Sequence, residues 1–246
     1  MIISVARKEL KSVFASPMGW IILALLMAWF GAYYLNGVNN YFEVMSGSIR
    51  PAERMGVTQF VGQTVYASAS LVMLFAVPLL SMRLISEERR SQTLPFLFSA
   101  PISITEIVLG KFLGLVAFLS ILIVYIGIMI STLNIWSDID FGYILSNSLG
   151  LFLLVASFSA LGLYFSSLTS QPVVAAILTF IALITLMMLD RFFSGDPVIA
   201  KFSLMNHFQS FAGGLIDTAD IAFFVLFIIT FLTLTVRRLD ADRLRG

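Results

Sequence analysis

The sequence predicts an all-α membrane protein with six transmembrane helices, and three observations carry this prediction. Hydrophobic residues form 59% of the 246-residue chain and charged residues only 12%, against about 45–50% and about 25% in soluble domains. Charged side chains are absent from several runs that reach the roughly 20 residues a spanning helix needs. These runs are continuously apolar and do not alternate like the strands of a membrane barrel, so helices are the expected form.

The charge-free runs and the polar breaks between them divide the chain into six spans. The longest run lies between Asp140 and Asp190 and is long enough for two helices. Its expected break is the polar stretch 166–172, which ends in Pro172, because a proline disfavours helix at the residue before it. The last run is short and is expected to cross with basic residues snorkelling at its far end. We expect one domain over 1–246, with spans near 17–36, 59–83, 107–133, 144–166, 172–190 and 218–237.

The residues ahead of the first span predict an interfacial helix over 2–15. Apolar residues recur at helical spacing on one face and basic residues lie towards the other, as in helices that rest on a membrane surface. Pro17 then turns the chain into the bilayer. The simpler alternative is a frayed basic terminus. The apolar face consists of Ile3, Ala6, Leu10, Val13 and Phe14.

The distribution of basic residues predicts that both termini are cytoplasmic, because basic residues accumulate on that side of membrane proteins. With the N-terminus inside, most of the 15 basic residues lie in the cytoplasm, namely Arg7, Lys8, Lys11, Arg83, Arg89, Arg90, Lys111, Arg237, Arg238, Arg243 and Arg245. The outer side keeps Arg50, Arg54, Arg191 and Lys201.

Several function classes are disfavoured by what the sequence lacks. A net charge of +1 argues against a nucleic-acid binder, and the absence of cysteine excludes thiolate metal sites. Gly110-Lys111 is followed by Phe112 and lacks the upstream glycine of a phosphate-binding loop, so the chain is not expected to hydrolyse nucleotide. The single histidine, His207, cannot build a multi-histidine metal site and is expected to be a satisfied residue in an outer loop. We expect no catalytic, cofactor or metal site, which makes an intramembrane enzyme the weakest reading.

The polar residues inside the second span have two possible explanations. Gln59, Gln63, Thr64 and Ser68 recur along it. They are explained by helix–helix hydrogen bonds and close packing, or by a weakly polar translocation path shared with a second copy of the chain. The spacing of Gly110 and Gly114 in the third span is likewise a common packing pattern.

The cytoplasmic segment 87–104, between the second and third spans, carries the strongest functional signal. It opens with the run Glu87-Glu88-Arg89-Arg90. Thr93 is a plausible N-cap for a short helix that Pro101 ends, with Pro95 acceptable in its first turn. Leu94, Leu97 and Phe98 share one face of this helix.

Ser103 and Glu106 then have the spacing of a capping box that opens the third span. A short helix with an exposed apolar face beside a charge cluster indicates a protein partner. The alternative is that the helix lies on lipid headgroups.

This segment resembles the signature of ABC-2 type transporter permeases. The matching residues are Thr93, Leu94, Leu97, Ser99, Pro101, Ile102, Ser103, Glu106, Ile107, Val108, Leu109, Gly110 and Lys111. The resemblance implies a coupling helix that docks in a groove of a separate ATPase subunit, where ATP and Mg²⁺ would bind. The implied coupling residues are Glu87, Glu88, Arg89, Arg90, Thr93, Leu94, Leu97, Phe98 and Pro101.

The resemblance also implies an assembly in a bacterial or archaeal cell membrane. Two ATPase subunits would bind two copies of the chain, or one copy and a homologous permease, with export as the favoured direction. The outer segments 37–58 and 191–217 could receive a periplasmic accessory protein. Residues 202–211 and 214–217 look most like gliding-motility permeases, with the permease of nitrous-oxide-reductase maturation nearby. Gln92 and Pro95 depart from the pattern, where glycine and glutamate are usual. The alternative function is a membrane anchor that passes ATPase force to a periplasmic partner without moving a substrate.

Overall fold

The computed structural model describes residues 1–46, 56–93, 102–192 and 201–245, except for the side chains of 190–192 and 245. Within these ranges the chain is helical and contains no strand. The helices are α1 (Ile2–Ala15), α2 (Pro17–Met45), α3 (Val57–Ser81), α4 (Arg83–Arg90), α5 (Ile104–Ser131), α6 (Phe141–Leu168), α7 (Pro172–Phe192), α8 (Leu204–Ala212) and α9 (Thr218–Arg245), with a 3₁₀ turn at Thr132–Ile135.

Six of the helical segments are long and apolar enough to cross a membrane, which confirms the predicted fold class. They are α2, α3 continued by α4, α5 with its 3₁₀ turn, α6, α7 and α9. Two ends of the helix bundle can be distinguished. We call the end that carries α1, α4 and the C-terminal part of α9 the basic end, and the end that carries α8 the far end.

The helix boundaries follow from local residues. Ser16 caps α2 by accepting a hydrogen bond from the backbone of Met18. The break between α6 and α7 lies in the polar stretch where the sequence predicts it. Helices α2 and α9 run to Met45 and Arg245, beyond the spans expected from charge, because the charge pattern locates only the apolar part and no proline interrupts residues 37–45 or 238–245.

The core is built around α6, which contacts α3, α4, α5, α7, α8 and α9. Small residues on α6 let these neighbours approach closely. A Cβ atom added at Gly150 would lie 2.4 Å from Phe211 Cβ on α8, and one added at Gly162 would lie 2.1 Å from Ser81 Oγ on α3. One helix therefore organises both ends of the molecule.

Helix α1 packs across α5 on the glycine pair that the sequence singles out. A Cβ atom at Gly110 would lie 2.5 Å from Val5 Cβ, and one at Gly114 would lie 3.0 Å from the Ala6 carbonyl oxygen. The apolar residues of α1 that pack against the core are Leu10, Val13 and Phe14. By contrast, Ile3 is 81% exposed. The expected apolar face is thus used mainly against α5 and its neighbours.

The stretch around His207 is a helix, α8, and not the loop that the sequence analysis expects. Ser203 caps it, and Leu204, Phe208 and Phe211 recur at helical spacing with their side chains buried. The apolar face of α8 is short and packs against Gly150 on α6. The residues of the segment alone are therefore not enough to predict this helix.

Candidate functional site

A charge cluster at the basic end joins three helices at one lysine. Lys111 Nζ donates to Glu88 Oε1 at 2.7 Å and to Glu9 Oε1 at 3.0 Å. These residues lie on α5, α4 and α1, and the Lys111 side chain is only 3% exposed. A lysine is rarely buried unless it is paired. The two carboxylates satisfy that requirement and bind the three helices to one another.

The lysine cluster is sensitive to the loss of any member. It holds one cation and two carboxylates, and Glu88 Oε2 is buried with no hydrogen-bond partner in the described part of the chain. A buried ion pair adds little stability over apolar packing, yet removing one partner costs about 3–5 kcal/mol because it leaves an uncompensated charge. The relative position of α1, α4 and α5 therefore depends on Lys111.

The next residue of the acidic–basic run forms a second cluster. The Arg89 guanidinium pairs with the Asp242 carboxylate and donates to the Ser167 carbonyl oxygen at 2.7 Å. Arg238 Nη2 lies 3.7 Å from Asp242 Oδ1. Through Arg89, α4 is held to the ends of α6 and α9.

Ser166 fixes α4 where it follows α3. The backbone N–H groups of Ile85 and Ser86 each donate to Ser166 Oγ at 3.1 Å, and the Ser166 hydroxyl donates to the Met82 carbonyl oxygen at 2.9 Å. The helix is broken at Met82, so the side chain supplies bonds that a continuous helix would make within its own backbone. The C-terminal end of α6 thereby holds the start of α4.

The acidic–basic run is thus divided into two inward and two outward residues. Glu88 and Arg89 are engaged in the two clusters. Glu87 and Arg90 are exposed and form no ion pair within the described ranges. Only the outward pair is free for contact with another molecule.

The turn after α4 contains the described chain's single non-glycine residue with positive φ, Gln92 at +55°. The Gln92 N–H donates to the Arg89 carbonyl at 3.3 Å and the Thr93 N–H to the Glu88 carbonyl at 3.0 Å. This is the Schellman arrangement, in which glycine is usual because other side chains are strained in the left-handed region. The structural reason for glycine at this position of the ABC-2 pattern is therefore retained here, although the residue is glutamine.

The start of α5 has the predicted capping box. Ser103 N–H donates to Glu106 Oε2 at 3.1 Å, and Glu106 N–H donates to Ser103 Oγ at 3.2 Å, which confirms the prediction. The terminal amino group of Met1 lies 3.7 Å from Glu106 Oε1.

Thr93 contacts the helix that precedes it. Its hydroxyl donates to the Glu88 carbonyl at 3.3 Å, so the Thr93 side chain caps the C-terminal end of α4. The predicted coupling residues Leu94, Leu97, Phe98 and Pro101 lie outside the described residues.

The four polar residues of the second span separate into two pairs. Gln59 and Gln63 are exposed on the first two turns of α3. The Thr64 hydroxyl donates to the Phe60 carbonyl at 3.1 Å, and the Ser68 hydroxyl to the Val65 carbonyl at 2.8 Å. The hydroxyls of Thr64 and Ser68 are therefore bonded to their own helix, and the two glutamines are the members that face outward from the chain.

At the far end, His207 has both ring nitrogens satisfied. Nδ1 lies 2.6 Å from Asp220 Oδ1 and Nε2 lies 2.8 Å from the Lys201 carbonyl oxygen. The ring stacks on Phe223 with centroids 3.9 Å apart. The carbonyl can only accept, so Nε2 carries a proton, and the ring ties α8 to the start of α9. This bears out the expectation of a satisfied histidine.

Sequence reasoning missed the partners that complete the two charge clusters. These are Glu9, Asp242 and Ser167, which lie far along the chain from the residues they contact, and the same is true of Ser166, which holds the backbone at the start of α4. Glu9 offered one signal, since it is the sole acid among the charges ahead of the first span. Within the described residues no three histidine or carboxylate side chains lie together as a metal site.

In the described parts of the chain, six helices that are long and apolar enough to cross a membrane surround a packed core, which defines the class as a multi-pass α-helical membrane protein. A family model for the ABC-2 family transporter protein matches residues 3–243, and the chain belongs to that family. A comparison with curated proteins gave no match. Members are permease components that associate with ABC ATPase subunits and are not themselves nucleotide-binding ATPases.

Proposed function

We propose that this permease serves an ATP-driven exporter in a bacterial or archaeal cell membrane, with its basic end in the cytoplasm. Two copies, or one copy and a homologous permease, would form the membrane unit and bind two ATPase subunits, which hold ATP and Mg²⁺. Segment 87–104 would dock on the ATPase. An accessory protein would meet the far end, as the likeness of 202–217 to gliding-motility and nitrous-oxide-reductase-maturation permeases suggests.

The lysine cluster is the observation that supports this coupling role. Glu88 precedes residues 94–101 and Lys111 follows them, and the two are joined at 2.7 Å. Glu9 also bonds to Lys111, so α1 is held at the same lysine. A displacement of the segment by an ATPase would therefore move α1, α4 and α5 together.

The outward residues give the segment a charged border for its partner. Glu87 and Arg90 are exposed on either side of the inward pair, and charges at an interface rim steer association more than they add affinity. Apolar contacts of Leu94, Leu97 and Phe98 would supply most of the binding free energy, at roughly 1.5–3 kcal/mol for each buried side chain.

The alternative function, an anchor that transmits force without moving a substrate, is favoured by the placement of the polar residues. Gln59 and Gln63 lie within two turns of the start of α3, and the deeper hydroxyls of Thr64 and Ser68 are bonded to their own helix. Lining of a transport path by the two glutamines would need a second copy facing them. ATP-dependent substrate flux in vesicles separates the two functions.

The docking proposal is tested with the double variant Leu97→Asp/Phe98→Asp, purified from membranes together with its ATPase. We expect normal insertion, because the spans are unchanged, and ATPase binding that is weaker by about a hundredfold or more, so that copurifying Mg²⁺-dependent ATP hydrolysis falls. The measurements are membrane-fraction yield, subunit stoichiometry and ATP hydrolysis.

The matched control is Leu215→Asp/Ile216→Asp, which places the same charges on adjacent apolar residues at the far end. Leu215 is 70% exposed and Ile216 is 55% exposed. The control should keep the ATPase. A Leu97→Asp/Phe98→Asp protein that inserts and retains the ATPase at wild-type stoichiometry would contradict docking through this segment. If that variant does not insert, the alanine pair replaces it with the same readout.

A further inference from the structure

A cavity of about 400 Å³ lies at the basic end between α1, α2, α3, α4 and Lys111 of α5. Its lining has two parts. Lys8, Arg83 and Glu87 contribute charged groups, and Met18, Ile22 and Leu79 contribute apolar ones. Polar and apolar surfaces therefore meet within one cavity.

The position of the cavity matches the level of a membrane–water interface. Met18 and Ile22 belong to the first two turns of α2, where that helix enters the apolar part of the chain. Trp20, on the same turns, is 60% exposed, and its indole N–H donates to the Phe14 carbonyl at 2.8 Å. Exposed tryptophans of this kind concentrate at the headgroup level of a bilayer.

The apolar side of the cavity continues onto the outer surface of the helix bundle. Met18 is 38% exposed and Leu79 is 47% exposed, although both line the cavity. On α3, Phe75 and Leu71 extend the exposed face by successive turns, at 50% and 58% exposure. An extended hydrocarbon chain that leaves the cavity would lie along this face.

The charged side of the cavity holds two cations without an ion-pair partner in the described ranges. Lys8 and Arg83 are exposed and unpaired, and so is the lining carboxylate of Glu87, whereas the third lining cation, Lys111, is paired with the lining carboxylates of Glu9 and Glu88. A phosphate diester satisfies such a pair, because it accepts charge-assisted hydrogen bonds from both side chains. A headgroup phosphate attached to acyl chains fits the charged and the apolar lining at once.

We propose that this cavity binds a membrane phospholipid, with its phosphate at Lys8 and Arg83 and its acyl chains against Met18, Ile22 and Leu79. The lipid would be a resident ligand that touches α1, α2, α3 and α4. It would therefore bind most tightly when α1 is packed as the structure has it.

The first test compares lipid retention by native mass spectrometry, on full-length protein stripped of lipid and offered phosphatidylethanolamine and phosphatidylglycerol. The variant Lys8→Gln/Arg83→Gln should lower lipid affinity about thirtyfold, since each basic residue near a membrane surface contributes a factor of about five. The control Lys11→Gln/Arg90→Gln changes the same charges on the same two helices outside the cavity, and should bind as wild type.

Equal retention by both double variants would overturn the proposal. Displacement of the lipid by soluble glycerol 3-phosphate at similar concentration would also overturn it, because the site would then be specific for free phosphate and not for a lipid.

The second test identifies the occupant directly. Met18→p-benzoylphenylalanine, irradiated in native membranes, should yield a product heavier by one phospholipid. A cross-link to a second copy of the chain, or within the chain to residues 94–101, would show that protein fills the cavity and would overturn the proposal.

Discussion

Lys111 joins three helices at the basic end, since its ammonium group contacts carboxylates from two other helices. Its place in the family signature was visible in the sequence, but its partners were not. Pairing of residue 111 with residue 9 depends on how α1 crosses α5, and no local pattern carries that information. The burial of the lysine follows from the same packing.

We predict that Lys111→Met destabilises the protein, towards the lower end of about 3–5 kcal/mol. Two carboxylates would remain close together without a cation, although Glu9 and Glu88 keep 15% and 22% of their side-chain surface exposed. Thermal unfolding in detergent measures the loss. The triple variant Glu9→Gln/Glu88→Gln/Lys111→Met should recover most of the stability.

The matched control for this prediction is Lys11→Met, because Lys11 is exposed and forms no ion pair in the described part of the chain. It should unfold at the wild-type temperature. A Lys111→Met protein as stable as this control would show that the cluster contributes nothing.

Gln92 illustrates what a departure from a family pattern means physically. The sequence showed glutamine where glycine is usual, without showing why glycine is usual. The positive φ of +55° supplies the reason, and an L-residue there costs roughly 1–2 kcal/mol. The departure therefore strains the turn that precedes residues 94–101 and leaves its hydrogen bonds in place.

At the scale of elements, the helix boundaries were predictable where a local residue determines them. The Ser103–Glu106 box and the break before Pro172 are fixed by nearest neighbours along the chain. Helix α8 was not predictable, because its apolar face is only three residues long and is explained by Gly150 in another helix. The long ends of α2 and α9 carry polar and charged residues, so a search for charge-free runs stops short of them.

The contact of α1 with α5 leads to a prediction at this scale. Gly110→Ala/Gly114→Ala places Cβ atoms 2.5 Å from Val5 Cβ and 2.8 Å from Glu9 Cβ, so α1 must move. Such overpacking costs about 1–3 kcal/mol. We expect a lower melting temperature and faster amide hydrogen exchange over residues 2–15.

The control substitution is Gly127→Ala on the same helix. Its Cβ would meet Ser148 Oγ at 3.7 Å, an ordinary contact, and should leave exchange in α1 unchanged. Unchanged exchange over 2–15 in the Gly110→Ala/Gly114→Ala variant would mean that α1 does not depend on this glycine pair.

At the scale of the molecule, the six-helix fold was predictable from composition and charge-free length alone, because a bilayer tolerates few other solutions. Which helix packs at the centre of the molecule was not predictable. Nothing in the apolar runs singled out α6 as the central helix, since its hydropathy is matched or exceeded by that of helices at the periphery. The glycines and buried serines of α6 distinguish it from the other helices only once the structure shows which of them are buried.

Orientation is the prediction that belongs to the whole molecule. The chain has no cysteine, so single cysteines report sidedness directly. Gln92→Cys and Ser170→Cys, at the basic end, should react with a membrane-impermeant maleimide only after cells are opened. Trp136→Cys, at a position 84% exposed near the far end, should react in intact cells. Labelling of position 92 or 170 from outside would reverse the topology.

Helix α6 can transmit a movement from one end of the molecule to the other. Its 28 residues make it about 42 Å long. It contacts α4 through Ser166 near its C-terminal end and α8 through Gly150 in its N-terminal half. Gly150 and Ser166 are separated by about 24 Å along this helix, so a tilt of about 10° about Ser166 would move the α8 contact sideways by about 4 Å. That distance approaches the rise of one helical turn, so a small rotation on one side of the membrane is enough to shift the register of a contact on the other.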